Sequence, residues 1–202
     1  MHHQPTPEPH FTYGDYLRWT GDERWELIDG EAFSMSPAPS RQHQEVVGAL
    51  YLQIASFLRG HPCRAYVAPF DVRLPRAGEA DSEIETVVQP DLVVVCDPTK
   101  LDDAGCRGAP DWVIEVLSPQ TAARDRLQKR EIYERHGVRE YWLVDPTNAT
   151  VTLFRQIPNA TGQPIFGTPV PFIAQGRTVS GVLPGLEIQW GDVFSSLMSS
   201  PA

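Results

Sequence analysis

Apolar residues recur at helical spacing in the first third of the chain. Ser40 can serve as the N-cap of a long helix, in which apolar positions lie three or four residues apart until Gly60. Thr12 can likewise cap a shorter helix that runs through Trp19. The pattern therefore predicts two helices. The periodic positions of the longer one are Val46, Val47, Leu50, Ile54, Phe57 and Leu58.

Short apolar runs bounded by turn residues predict strands. The Asp29-Gly30 dipeptide favours a type I′ turn, so the runs on either side of it form an N-terminal hairpin. Two later runs are apolar almost throughout, which is typical of strands covered on both faces, and we place the first of them centrally in the sheet. The predicted strands are Trp25 to Ile28, Ala32 to Met35, Ala65 to Leu74, Val87 to Cys96, Trp112 to Leu117 and Tyr141 to Val144.

A second long helix is predicted from Ala122 to His136. Thr121 can cap its start, and Gly137 suits the position just after its end. At about 100° per residue, Lys129 falls on the face that carries apolar residues, so we expect the lysine to point inward. That face consists of Ala122, Asp125, Lys129, Ile132, Tyr133 and His136, and the opposite one of Arg124, Gln128, Glu131 and Arg135.

The order of elements indicates the fold class. Helix, three strands, helix and strand follow one another, framed by the hairpin and by a C-terminal β extension that starts at Thr150 and ends in a helical turn near Phe194. This order predicts an α/β or α+β protein with a mixed sheet. We expect a single domain over 11–198, because 202 residues suit one full core, and a disordered tail over 1–10.

Composition narrows the class of protein. The chain is 41% hydrophobic and 21% charged, as in ordinary globular proteins. It shows neither a signal peptide nor a membrane span, so we expect a cytoplasmic protein. Cys63, Cys96 and Cys106 have no metal-ligand spacing and are odd in number, which favours reduced cysteines over a disulfide framework or a zinc site.

Charge is unevenly distributed along the chain. A net charge of −9 argues against nonspecific coating of nucleic acid, which depends on many basic contacts to phosphate. Acidic residues are concentrated in the loop from Ala77 to Glu85, and basic residues in a stretch after Thr121. Each of these two charged stretches is either a solvated face or an interaction surface. The basic stretch comprises Arg124, Arg126, Lys129, Arg130, Arg135 and Arg139.

Two carboxylates interrupt the buried strands. An ionised Glu115 inside an apolar strand costs several kcal/mol unless a cation or hydrogen-bond donors compensate it. Asp91 stands at the head of the preceding run, and the two could converge if the strands are neighbours. Paired oxygen ligands select hard cations such as Mg²⁺ or Mn²⁺, and Lys129 could assist such a metal in phosphodiester hydrolysis. We therefore predict Asp91, Glu115 and Lys129 as the catalytic group.

Each of these residues also has a structural interpretation. Asp91 could cap a strand, Glu115 could pair with an arginine, and Lys129 could bridge to Asp125 one helical turn away. Three further residues are candidates for accessory roles. Glu26 is expected to be exposed but could be a third metal carboxylate, His43 is expected in the core, and Tyr133 could pack or hydrogen-bond Glu115.

The ordered set of motifs resembles the Uma family of candidate bacterial restriction endonucleases. The resemblance covers about residues 10 to 192 and rests on the combination more than on any single piece. The motifs are Trp-Glu-Leu-Ile-Asp-Gly-Glu at 25–31, Ser-Arg-Gln-His at 40–43, Gln-Pro-Asp-Leu-Val-Val-Val at 89–95, Val-Ile-Glu-Val-Leu-Ser-Pro at 113–119, and Lys129 with Tyr133 before Glu-Tyr-Trp-Leu-Val-Asp-Pro at 140–146.

The resemblance implies a restriction-endonuclease-like PD-(D/E)XK core and hydrolysis dependent on Mg²⁺ or Mn²⁺, with Asp91 and Glu115 as the metal ligands. The lysine of the family motif belongs two residues after the glutamate, where this chain has Leu117. The resemblance therefore requires that Lys129 takes over this role, or that the role is missing.

The first functional hypothesis is a DNA endonuclease in which Arg124, Arg126 and Arg130 contact the nucleic acid. A nuclease-like module that binds nucleic acid or protein without turnover is the alternative. A structural or oligomerisation module is the third. A homodimer is compatible with the fold implied by the resemblance.

Overall fold

The computed structural model describes residues 9–35 and 38–198, and the last four of these, 195–198, through their backbone alone. Most of the predicted tail, residues 1–8, lies outside the described residues. His10 is described, and its Nε2 lies 2.6 Å from Glu85 Oε1.

The helices and strands follow the predicted order. The first helix ends at Tyr16 rather than Trp19, and the second hairpin strand begins one residue earlier than predicted. The α-helices are α1 (Tyr13–Tyr16), α2 (Arg41–Phe57), α3 (Ala122–Arg124), α4 (Arg130–His136) and α5 (Trp190–Met198). The first nine strands are β1 (Trp25–Ile28), β2 (Glu31–Ser34), β3 (Arg64–Val67), β4 (Val72–Arg73), β5 (Val87–Val88), β6 (Leu92–Val95), β7 (Leu101–Asp102), β8 (Gly105–Arg107) and β9 (Trp112–Val116). The remaining strands are β10 (Glu140–Asp145), β11 (Thr150–Pro158), β12 (Pro164–Phe166), β13 (Val170–Ile173), β14 (Arg177–Val179) and β15 (Glu187–Gln189).

A mixed seven-stranded sheet forms the centre of the described chain. Its main path runs β12-β11-β10-β9-β6-β3, and β13 pairs with β11 beside it. The β9 and β10 strands are parallel, whereas β6 is antiparallel to β9. The predicted position of β6 inside the sheet is confirmed, because it has a hydrogen-bonded neighbour on each side.

A second sheet carries the N-terminal hairpin. It has six strands in the order β2-β1-β5-β4-β8-β7 within the described residues, and β14 pairs separately with β15. The acidic loop contributes a 3-10 turn at Asp81–Glu83. In that turn Asp81 forms ion pairs with Arg73 on β4 and Arg107 on β8, which hold the loop against this sheet.

Alternation along the central strands separates two cores. On one face, Trp112 and Trp142 are fully buried against α2 and α5. On the other face, Val113 and Leu143 pack against α4 and against the six-stranded sheet. Because Glu115 lies two residues after Val113, it points into this second layer.

Two long predicted strands are each divided between the sheets. The stretch from Ala65 to Leu74 forms β3 and then β4, and that from Val87 to Cys96 forms β5 and then β6. Pro69 and Pro90 fall in these breaks. Since proline has no N–H to donate to a ladder, the chain leaves one sheet at each proline and joins the other.

The helix predicted from Ala122 to His136 forms but contains an irregular turn. A π-helical turn, Asp125–Lys129, lies between α3 and α4, and we call this whole segment the site helix. It ends at Gly137, whose φ of 87° is the left-handed conformation that glycine adopts easily. Such π turns are rare and occur frequently at functional sites.

The prediction that the cysteines form no disulfide is wrong, because Cys63 and Cys96 are bonded. The antiparallel register places Arg64 opposite Val95, so the residues just outside this pair also face each other. Sequence spacing cannot reveal this register. Within the described residues, no helix is long and apolar enough to cross a bilayer.

The strand that carries Glu115, β9, should tolerate truncation of its buried side chains poorly. Ile114 is fully buried, and replacing a buried isoleucine with alanine costs about 2–5 kcal/mol because it removes apolar contacts and leaves a cavity. Ile114→Ala should lower the free energy of unfolding by that amount in urea titrations. The matched control is Ile173→Ala, at a side chain 63% exposed, for which a change within about 0.5 kcal/mol is expected. Equal losses for the two variants would contradict the described core.

Candidate active site

Asp91 and Glu115 converge where β6 meets β9. Asp91 directly precedes β6, and β6 pairs with β9 so that Leu92 lies opposite Ile114. The backbone N–H of Asp91 donates to Glu115 Oε2 at 3.2 Å, and the N–H of Val116 donates to Asp91 Oδ2 at 2.8 Å. Each carboxylate is therefore fixed by the strand that carries the other.

Lys129 reaches this pair from the site helix. Its Nζ lies 2.9 Å from Glu115 Oε1 and 3.6 Å from Asp125 Oδ1. Its side chain is only 5% exposed, as expected from the predicted inward face. Asp125 and Lys129 bound the π-helical turn, which brings both buried side chains to the same cluster.

The prediction that Glu26 is exposed is wrong. Its side chain is 2% exposed, and its Oε1 lies 2.8 Å from Lys129 Nζ. The backbone N–H of Gln89 donates to the same oxygen at 2.9 Å. Alternation placed Glu26 correctly opposite Leu27, but the site helix and central sheet cover that face of the hairpin as well.

Tyr133 and His43 each hold one of the two central carboxylates. The hydroxyl of Tyr133 donates to Glu115 Oε1 at 3.0 Å. His43 Nε2 lies 3.2 Å from Asp91 Oδ2, within reach for donation. His43 is buried at the start of α2, so it lies in the core as predicted while also contacting the site.

Burial and charge compete in this cluster. Burial raises the pKa of Glu115 well above its ordinary range, and Lys129 offsets only part of that effect. The pKa of Asp125 is raised for the same reason. Burial alone would lower the pKa of Lys129, but the surrounding carboxylates raise it well above its usual value. The lysine is therefore charged at neutral pH.

The three arginines predicted to contact nucleic acid are divided between two environments. Arg124 lies 4.4 Å from the centre of the Phe33 ring and 3.6 Å from Glu26 Oε2, at the edge of the cluster. Arg126 lies 3.7 Å from Asp145, and Arg130 lies 3.9 Å from Glu134. Only Arg124 is thus in contact with the site residues.

Two contributors were not among the predicted site residues. Asp125 is predicted only as a helical partner of Lys129. The spacing of four residues between them is the sequence signal that it lies near the site. Gln89, whose backbone holds Glu26, is itself fixed by Arg24 at 2.9 Å and by Asp71 at 2.8 Å. Gln89 begins the Gln-Pro-Asp motif at 89–95, but its contact with Glu26 depends on how β1 and β5 pair and is not encoded in that motif.

Comparison with known proteins identifies the family of this chain. The sequence profile of the Uma2 family, described as "Putative restriction endonuclease", matches residues 13–191. The chain belongs to the Uma2 family. A curated relative, the uncharacterized protein slr1290 of Synechocystis sp., is 28% identical over 163 residues, which cover 76% of this chain and 79% of that protein.

The fold also matches a solved structure. A protein from Anabaena variabilis, described as "a putative nuclease belonging to DUF820", superposes with a TM-score of 0.71 at 21% identity. The match covers 93% of this chain and 99% of that one. The chain therefore has a restriction-endonuclease-like fold, and its membership of the Uma2 family supports a nuclease-like function.

The position at which the wider motif has a lysine is apolar in this Uma2 member. Leu117 is buried in the core between the central sheet and the site helix. Lys129 contacts Glu115 from the helix instead, so an ammonium reaches the glutamate from another element. Its catalytic role stays a prediction.

The donor set suits a hard divalent cation, although no group of three metal-binding side chains occurs within the described residues. With all carboxylates ionised and His43 neutral, the cluster carries two more negative than positive charges. The acidic members are Glu26, Asp91, Glu115 and Asp125, and the basic members are Arg124 and Lys129.

Two of the carboxylates differ in their surroundings. Asp125 Oδ1 is buried without a hydrogen-bond partner, whereas the Asp91 side chain is 21% exposed. Mg²⁺ is commonly held by one or two carboxylates, with water and substrate completing its shell.

The raised pKa of Glu115 predicts how stability depends on pH when no divalent cation is present. The folded protein keeps this proton over a range in which the unfolded chain has lost it. The free energy of unfolding should therefore fall as pH rises from about 4.3 through the raised folded value. Lys129 adds nothing in this range, because it is charged in both states.

Glu115→Gln removes that titration, so the unfolding free energy of the variant should fall less steeply with pH than that of wild type. The two slopes should differ by up to about 1.4 kcal/mol per pH unit. Urea titrations in EDTA from about pH 4 to about pH 8 would measure the difference. Glu187→Gln, at an exposed ion pair, is the matched control and should keep the wild-type slope. Parallel curves for Glu115→Gln and wild type would contradict the prediction.

Proposed function

We propose that this protein is a metal-dependent DNA endonuclease, in which Asp91 and Glu115 hold Mg²⁺ or Mn²⁺. The observation that carries the proposal is the convergence of these two carboxylates with Lys129 in one largely buried cluster. Membership of the Uma2 family supports it. The substrate follows from the chemistry, since a hard cation beside a fixed ammonium suits phosphodiester hydrolysis.

A bound divalent cation would supply charge compensation at phosphate and an activated water. The protein's own groups prepare for this. Asp91 is oriented by the Val116 N–H and by His43. Tyr133 and Lys129 both contact Glu115 Oε1, which leaves its Oε2 directed at the Asp91 backbone. Lys129 would stabilise negative charge that develops on the scissile phosphate.

Basic side chains of the site helix would contact the DNA backbone. Arg124, Arg126 and Arg130 all lie on this helix, each with a carboxylate partner at 3.6 Å or more. Ion pairs this long cost little to exchange for phosphate contacts. We expect action in the cytoplasm, where cellular DNA is accessible, and a homodimer would bring two sites to the two strands.

Cleavage should require both the metal and its two carboxylates. Wild-type protein should cleave DNA with Mg²⁺ or Mn²⁺ and not with EDTA, and Asp91→Asn and Glu115→Gln should each slow cleavage by about 10²–10³-fold, because charge stabilisation is lost. Gel assays on linear, supercoiled and single-stranded DNA would measure this. Arg177→Gln, at an exposed ion pair on the β14–β15 hairpin, should match wild type. Equal rates for wild type and Glu115→Gln would exclude the proposed chemistry.

Lys129 should matter for turnover and not for metal binding. Lys129→Met should reduce the cleavage rate by about 10²-fold because a charged group near the phosphate is lost. Calorimetric titration should still detect Mn²⁺, since Asp91 and Glu115 remain. Removing the lysine also leaves buried carboxylates unpaired, at a cost of about 3–5 kcal/mol. Lys129→Arg keeps the charge and serves as the folded comparison, with reduced but measurable cleavage expected.

One observation favours a second candidate, a nuclease-like module that binds without turnover. Both oxygens of Glu115 already accept hydrogen bonds from the protein, and Leu117 occupies the usual lysine position. DNA binding without cleavage in Mg²⁺ or Mn²⁺, and unchanged by Glu115→Gln, would favour this alternative.

A further inference from the structure

The N-terminal hairpin faces the site with two side chains that are direct cross-strand partners. In the β1–β2 ladder Glu26 lies opposite Phe33. Directly opposed residues of an antiparallel pair project from the same face of the sheet. Both side chains therefore point toward the site helix, and we call them the hairpin platform.

The two members of the hairpin platform contact two cations on the site helix. Glu26 contacts Lys129 at 2.8 Å and lies 3.6 Å from Arg124. Phe33 lies beneath the guanidinium of Arg124, 4.4 Å from its ring centre. Arg124 is thus held between an aromatic face and a carboxylate, while Lys129 is held between Glu26 and Glu115.

The two cations differ in access to solvent. The Lys129 side chain is 5% exposed, so it can act only on a group that enters the cluster. The Arg124 side chain is 22% exposed, so it is accessible to a ligand at the rim of the cluster. A guanidinium over a ring keeps its N–H donors, which lie in its own plane and suit the oxygens of phosphate.

We propose that the hairpin platform is a positioning device that presets Lys129 for the cleaved phosphate and Arg124 for a neighbouring phosphate of the same strand. This inference rests on the proposed function. It makes Glu26 a positioning residue rather than a third metal ligand. Fixing a long side chain in advance matters because immobilising one on binding lowers affinity.

The Phe33 half predicts a change in substrate binding. A cation–π contact at an accessible site is worth about 0.5–1 kcal/mol, so Phe33→Leu should raise KM for DNA about two- to five-fold with a smaller change in kcat. Phe33→Tyr keeps the ring and should restore the wild-type KM. Arg124→Gln should reproduce the Phe33→Leu effect, whereas Arg177→Gln should not. A Phe33→Leu enzyme with wild-type KM would overturn this half.

The Glu26 half predicts a change in turnover. Glu26→Gln keeps a hydrogen-bond acceptor for the Gln89 N–H but loses the charge that holds Lys129, so kcat should fall about ten-fold or more. Calorimetry should show Mn²⁺ affinity within about two-fold of wild type, whereas loss of Mn²⁺ binding would make Glu26 a ligand and overturn the inference. In the Lys129→Arg background the effect of Glu26→Gln should differ from that in wild type, because the two side chains act together. Additive effects would also overturn it.

Failure of the proposed function is distinguishable from failure of this inference. Wild-type protein that never cleaves DNA in Mg²⁺ or Mn²⁺ defeats the endonuclease proposal. The platform is then tested by DNA binding in EDTA, where Phe33→Leu should weaken binding, Arg124→Gln should weaken it at least as much, and Phe33→Tyr should not weaken it. Wild-type cleavage together with unchanged kinetics in Glu26→Gln and Phe33→Leu defeats the platform alone.

Discussion

The charge balance around Lys129 is the constraint on which the rest of the structure depends. Its ammonium lies within ion-pair distance of carboxylates from the hairpin, the central sheet and its own helix. A buried carboxylate left without its cation costs several kcal/mol. Lys129 therefore stabilises the packing of the two sheets against the site helix.

The same arrangement explains why the site combines rigidity with unbalanced charge. Backbone N–H groups, a tyrosine hydroxyl and a histidine fix the carboxylates. When all of the carboxylates are ionised, one lysine and one rim arginine do not neutralise them. A site that is well ordered but short of positive charge favours a doubly charged ligand over a further side chain.

The sequence predicts those site residues that break a pattern. Asp91 and Glu115 interrupt apolar strands, and Lys129 interrupts an apolar helical face, so each could be identified from the cost of burying charge. Glu26 sits in ordinary alternation, which separates two faces of a hairpin but does not say that both are covered. The fold class follows from element order, whereas the division of two long strands and the pairing of Cys63 with Cys96 depend on register, which spacing does not encode.

The centre is assembled from widely separated parts of the chain. Glu26 lies on the first hairpin, Asp91 and Glu115 on the central sheet, and Lys129 on a helix that follows both. No short fragment contains all four groups. During synthesis on the ribosome the centre is completed only after the chain has been made beyond the site helix. A chain that stops before this helix, or has lost the first hairpin, therefore lacks the complete centre.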